Sequence, residues 1–227
     1  MGSIFNPETF LELTQRTHLE CGIQGAVPTT VAAAVGTNLN LFVWVNEAWR
    51  WLQRVRPDWH FMHGTVSFTT VAGQITYTPA QAGITAGAVS SWRLDTFRRY
   101  LTSSGQASEV RMIWHPYDEF RDTYLISSLR TAQRDPHHFS VDKSFNLQIE
   151  CPLVGYTITG EYYAAVSGMD EDDDVPSLEV ADRMILVYKA MEFYANDANA
   201  PEVLDTARRG LKSILNRLDI RRLDSLA

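Results

Sequence analysis

The hydrophobic period of this 227-residue chain changes twice, and no other feature constrains its fold as strongly. Near both ends, apolar residues recur every three to four positions, the spacing of helices with a buried face. In the middle they alternate, the spacing of half-buried strands. The order is therefore helices, then strands, then helices, and a chain of this length can bury a sizeable core.

Asn6-Pro7-Glu8 predicts a helix start, with a capping side chain, a proline at the first helical position and an acid in the first turn. Phe10, Leu13, Thr17 and Cys21 then share one face, and Gly22 ends the run. The small-residue stretch from Gly22 to Gly36 reads as a connecting loop. A second helix is predicted from about Asn38 to Val55, with Leu41, Phe42, Val45, Ala48, Trp49, Leu52 and Val55 on its apolar stripe and Pro57 as its stop.

After Pro57 the period becomes two. Val66-Phe68-Thr70 and Ile75-Tyr77 flank Val71-Ala72-Gly73-Gln74, which predicts a hairpin. Further strands are expected over Val89–Leu101, Glu109–Trp114, Phe145–Glu150 and Tyr156–Tyr162, with one helix from Pro116 to about Leu129. The whole reads as a mostly antiparallel sheet with a single helical excursion. The acidic run Asp170-Glu171-Asp172-Asp173-Asp174 reads as a linker, after which Ser177 is placed to cap a helix carrying Val180, Met184, Val187, Tyr188, Met191 and Ala195. Asn199-Ala200-Pro201-Glu202 resembles a capping box, and Val203, Leu204, Ala207, Leu211, Ile214, Leu215 and Leu218 form the last stripe.

The expected fold is thus α+β: an antiparallel four-helix bundle formed by the N- and C-terminal helices, with a β-rich insert between them. Residues 1–62 and 175–227 make the bundle. Residues 63–174 make the insert, which ends in the acidic linker 170–174.

Composition narrows the function classes. No apolar run approaches the roughly 20 residues of a membrane span, so a soluble chain without membrane contact is expected. The first residues lack a basic flank and an apolar core, so no signal peptide is expected, and Gly2 begins a myristoylation-like string that Asn6 breaks. Two cysteines, Cys21 and Cys151, make neither a disulfide framework nor a metal motif, which points to synthesis in a reducing cytoplasm. The net charge is −7, but the run 170–174 supplies five of those charges, leaving a body near −2. Arginine outnumbers lysine 17 to 3, a bias suited to interfaces.

Catalytic patterns are missing: there is no nucleophile elbow, zinc-protease helix, P-loop or dinucleotide fingerprint. Asp170, Asp172 and Asp174 have the spacing of a calcium loop start, but Val175 and Ala181 stand where that loop needs Gly and Glu. His137 and His138 are adjacent, and on a strand neighbours face opposite sides. No catalytic residue, cofactor or metal site is therefore expected. Arg98-Arg99-Tyr100 and Arg50-Trp51 with Arg54 and Arg56 mix cations with aromatics, yet the aromatics fall on core stripes. The last helix carries Arg208, Arg209, Lys212, Arg217, Arg221 and Arg222 against Glu202, Asp205, Asp219 and Asp224, a net +2 that suits a subunit-facing or lumen-facing side.

Trp44-Val45-Asn46-Glu47-Ala48-Trp49, Gln53, Pro57-Asp58-Trp59-His60-Phe61-Met62, and Ala72-Gly73-Gln74 with Tyr77 together resemble the head-to-tail adaptor (connector) proteins of tailed bacteriophages. So does the closing section Val175-Pro176, Ala181–Ala190 and Phe193-Tyr194-Ala195. The similarity runs from about residue 7 to 220. It implies that Asn46, Ala48, Trp49, Trp59, Phe61, Met62, Gly73, Gln74 and Tyr77 are packing residues. It also implies a virion structural protein at the head–tail interface. Such a protein forms a ring of itself, in most members a dodecamer, beneath the portal protein, and it joins the portal to tail or nozzle proteins. Genomic double-stranded DNA passes through the lumen without sequence-specific binding. With short segments before Asn6 and after Leu218, loops or the last helix are expected to make the portal contact.

Two other readings compete. One is a carbohydrate- or receptor-binding tail component that uses Trp92, Tyr100 and Trp114. The other is a metal-dependent hydrolase that uses His137, His138 and the acidic run.

Overall fold

A helix is held at its ends by whatever satisfies its unpaired backbone groups, and the first helix shows how this chain does it. In the computed structural model, which describes residues 7–153 and 155–224 and side chains as far as Arg221, α1 spans Phe10–Glu20. Its cap is Thr9: Thr9 Oγ1 accepts from Glu12 N–H at 3.3 Å, and the Glu12 carboxylate accepts from Thr9 N–H at 3.3 Å. Pro7 and Glu8 precede the helix, and the expected cap Asn6 lies outside the described residues. The next two N–H groups are satisfied from far along the chain, Phe10 N–H by Asp174 O at 2.8 Å and Leu11 N–H by Asp172 O at 3.1 Å.

The chain divides into two compact units, Met1–Met62 with Val166–Ala227, and His63–Ala165. The first holds α1, α2 (Thr37–Val55), α4 (Met184–Asp197) and α5 (Pro201–Asp224). The second holds β1 (His63–Thr69), β2 (Thr76–Tyr77), β3 (Val89–Leu101), β4 (Val110–Arg111), β5 (Ile113–Trp114), α3 (Tyr117–Tyr124), β6 (His138–Val141), β7 (Leu147–Ile149) and β8 (Tyr156–Ala164).

This overturns the four-helix bundle with one β-rich insert. Among the described residues there are five α-helices and two four-stranded sheets, so α+β describes the chain only loosely. The physical reason lies in α4. Ile185, Leu186, Val187, Ala190, Met191 and Ala195 are buried, and three consecutive buried residues cannot share one stripe. The helix is the hub of its unit, packed against α1, α2 and α5, and α5 makes its most extensive packing against it. Gly210 of α5 lies against the Tyr188 ring so closely that a Cβ there would fall 2.5 Å from it.

The caps differ from expectation as well. Ser177 caps nothing; a turn of 3₁₀ helix at Val180–Asp182 leads into α4. Asn199 adopts φ +51° and closes α4 rather than opening α5, letting Ala200 N–H reach Ala195 O at 2.9 Å.

In the second unit, one sheet runs β1-β8-β3-β4, antiparallel throughout, and the other β2-β7-β6-β5, with β5 and β6 parallel. The expected hairpin therefore does not form: β1 pairs with β8 and β2 with β7. Strand β6, absent from the sequence reading, sits inside the second sheet. The alternation of Phe145–Glu150 also fails. Leu147, Gln148, Ile149 and Glu150 are all buried, and Phe145 is exposed in a turn at φ +61°. Phe97 against Phe139 at 4.7 Å and Phe68 against Tyr77 at 5.0 Å join the two sheets into one core. The Phe97 ring occupies the space over Gly160, where a Cβ would meet it at 2.9 Å.

Candidate functional site

The residues named from the motif pattern form two separate constructions. On α2, Asn46 and Gln53 are seven positions apart and so lie on one face. Both hold the segment Ser167–Met169: Asn46 Oδ1 accepts from Met169 N–H at 3.0 Å, and the Gln53 amide exchanges bonds with the Ser167 backbone at 2.9 and 3.0 Å. Arg50 fills the space between them, and a Cβ on Gly168 would lie 2.6 Å from its guanidinium. Ala48 and Trp49 are buried on the inner face. Trp49 meets Phe61, Phe61 stacks on Trp59 at 6.0 Å, and Met62 is buried beside them.

The second construction is a corner. Gly73 turns the chain at φ +80°, and its N–H reaches Pro152 O at 3.0 Å. The Tyr77 hydroxyl accepts from Val71 N–H at 2.9 Å and lies 3.1 Å from Gln74 O. Burial pushes this phenol above its ordinary range, so it remains a donor. Gln74 donates to Thr76 O at 2.9 Å. The corner moves the chain from the first sheet to the second.

The cations of α5 divide by position. Arg217 and Arg221 converge on Asp182, a carboxylate with 0% exposure: Arg217 Nε lies 2.7 Å from Oδ1 and Arg221 Nη1 2.7 Å from Oδ2. Arg217 also donates to Ala181 O at 2.8 Å, and Arg221 reaches Glu179 at 2.5 Å. Arg208 stands 3.8 Å from Glu192, and Arg209 donates to Asp205 O of its own helix. Lys212 is exposed, with no hydrogen bond or ion pair among the described residues. The Arg222 side chain lies outside them.

The acidic run is built into the helical unit. The Asp172 carboxylate accepts from Thr30 Oγ1 at 2.6 Å and Val31 N–H at 2.7 Å, pinning the loop between α1 and α2. Asp174 accepts from Asp170 and Glu171 N–H at 2.6 and 2.9 Å. Sequence reasoning missed this role because the partners of Asp172 lie more than a hundred residues away and those of Asp174 are backbone N–H groups. Asp172→Ala should lower stability by about 1–2 kcal/mol and speed amide exchange in 29–32, read by hydrogen–deuterium exchange.

The histidines do not converge either. His137 accepts from Arg99 Nη2 at 2.6 Å, whereas His138 bonds to His115. Among the described residues no group of three or more His, Cys, Asp or Glu is arranged to hold a metal ion. Of the aromatics weighed for glycan stacking, Trp92 is buried with its indole N–H on Phe145 O at 3.0 Å, and Trp114 is exposed. The Cys21 thiol is pushed up to about 12, chiefly by burial and then by Glu20, which makes it unreactive.

What the arrangement offers is surface. On α2, Leu39 and Val43 lie one turn apart on its outer side at 45% and 50% exposure. On β5, an edge strand, Ile113 and Trp114 border a recess of about 480 Å³ lined also by Leu94, Asp95, Arg111 and Met112. Exposed apolar side chains on rigid elements suit protein–protein contact. No helix among the described residues is long and apolar enough to cross a membrane. The family model described as SU10 adaptor protein matches residues 9–226. No curated protein matches the chain.

Proposed function

The chain belongs to the SU10 adaptor protein family, a family of phage head-to-tail adaptors, and from that premise we propose a virion structural protein that forms a ring between the portal and the tail. The observation that carries the reading is a family match spanning nearly the whole chain, both units included. In this reading twelve copies sit beneath the portal protein, tail or nozzle proteins bind the opposite side, and the genome passes through the lumen. The protein acts by making surfaces rather than by catalysis.

The physical chemistry supports this use. Lateral contacts in a ring need exposed apolar and arginine side chains on stiff elements, and Leu39, Val43, Arg208 and Arg209 supply them on helices. A lumen that lets DNA slide must not neutralise many phosphates. A chain of net charge −7, with Arg217 and Arg221 engaged by Asp182, meets that need.

The test is native mass spectrometry or negative-stain imaging of the protein mixed with its intact portal. Twelve copies of 25.7 kDa add about 308 kDa to the portal complex. A chain that stays monomeric and ignores intact portal overturns the reading.

A further inference from the structure

His115, just before α3, and His138, on β6, are bonded to each other: His115 Nε2 lies 2.8 Å from His138 Nδ1. The chemistry of the neighbours assigns the protons. Glu119 of α3 can only accept, so His115 Nδ1, 3.1 Å from its carboxylate, carries a hydrogen. In the neutral imidazole Nε2 is then the acceptor, and His138 Nδ1–H is the donor. A proton added to the other nitrogen of His138 leaves this bond in place. A proton on His115 Nε2 sets two N–H groups head to head. The pair therefore holds one charge and refuses two.

Around the pair, Tyr124 of α3 stacks on His138 at 4.9 Å, and Ser140 Oγ donates to His115 O at 2.8 Å. Phe120 of α3 is fully buried. The other groups facing the pair are His137 just before β6, Glu150 after β7 and Arg134 in the preceding loop. Glu150 accepts from the backbone N–H of His137 and His138 at 2.8 Å each and lies 3.6 Å from Arg134.

We propose that His115 and His138 form a proton-operated latch that holds α3 on the second sheet while at most one imidazole is charged, and that the second proton releases it. Release uncovers Phe120 and Tyr124, so acid converts a closed surface into an apolar one. The direction agrees with the electrostatics. Burial, foremost, pushes His138 below the ordinary imidazole range; Glu150 opposes this, and His115, His137 and Arg134 add to it. The closed state thus binds protons less readily than the open one. Its stability is full above about pH 6.5 and falls as the pH drops below that value.

Hydrogen–deuterium exchange on the full chain tests the latch. After correction for intrinsic rates, amides of 117–124 should exchange on the order of a hundredfold faster at pH 4.5 than at pH 7.5, because each pH unit below about 6.5 favours the open state tenfold. Amides of β3 and β8 should not follow. His115→Gln keeps an acceptor for His138 and a donor for Glu119 without titrating, so the refused second proton is gone and the acid step should shrink to the part that burial of His138 supplies alone. A step of undiminished size in His115→Gln, or no step in the wild type, overturns the proposal. ¹⁵N imidazole spectra of the wild type give an independent check, since finding the proton of His115 on Nε2 rather than Nδ1 at pH 7.5 also overturns it.

Discussion

Trp59→Ala should cost about 3–5 kcal/mol of folding stability, a large share of the roughly 5–15 kcal/mol available to a domain. Two effects combine at this side chain. Its ring is almost wholly buried, stacked on Phe61 and covered by the Arg56 guanidinium at 5.8 Å. Its indole N–H donates to Leu52 O at 2.8 Å, one of the four carbonyls that α2 leaves open at its C-terminal end. Tryptophan therefore fills the space below the helix and terminates the helix with a single group. Trp59→Phe separates these terms: it keeps most of the packing, loses the hydrogen bond, and should cost about 1–2 kcal/mol. Guanidinium titration of both variants reads the difference from their midpoints. Equal losses in the two would mean that ring volume contributes nothing.

The second large effect is expected at Asp182. Arg217 and Arg221 are each about half exposed, so water can compensate either arginine when it stands alone; removing one should cost about 1 kcal/mol. Removing both leaves a fully buried carboxylate with no cation. Arg217→Met with Arg221→Met should therefore cost about 3–5 kcal/mol at neutral pH, more than the sum of the singles. A double variant whose loss equals the sum of the singles would count against the clamp.

How much the sequence discloses depends on how far away the partner of each residue lies. Helical spacing identifies Phe10, Leu13, Leu41, Val45, Leu52, Ala207, Leu211 and Ile214 as inward-facing, and all are buried. Burial on every side is harder to see, and the pattern of α4 resembles a stripe until Leu186 and Ala190 are counted with it. Caps are local, yet their chemistry is ambiguous: Asn199 satisfies the rule for starting a helix and equally the rule for ending one. Pairing of strands is not local. Nothing in Val66–Tyr77 signals that its two halves join different sheets, because Tyr77 finds its hydroxyl partners within six residues and its strand partner at Leu147. The motif residues of α2 are visible as a pattern, but the segment that Asn46 and Gln53 clasp lies beyond the whole second unit. Asp172 and Asp174 look like solvated charge because backbone N–H groups leave no trace in a sequence.

The pinning of Thr30 by Asp172, 142 positions later, has a consequence for the order in which the chain takes shape as it is made. α1 and α2 leave the ribosome first, yet the carbonyls that cap α1 and the helix at the centre of their unit emerge only after all of His63–Ala165. The second unit is continuous in the chain and has everything it needs as soon as β8 has been synthesised. The first unit thus waits, half made, while a later stretch of chain becomes complete before it. During that interval the apolar faces of α1 and α2 have only each other for cover. The helices nearest the start of the chain are the last to reach their final packing.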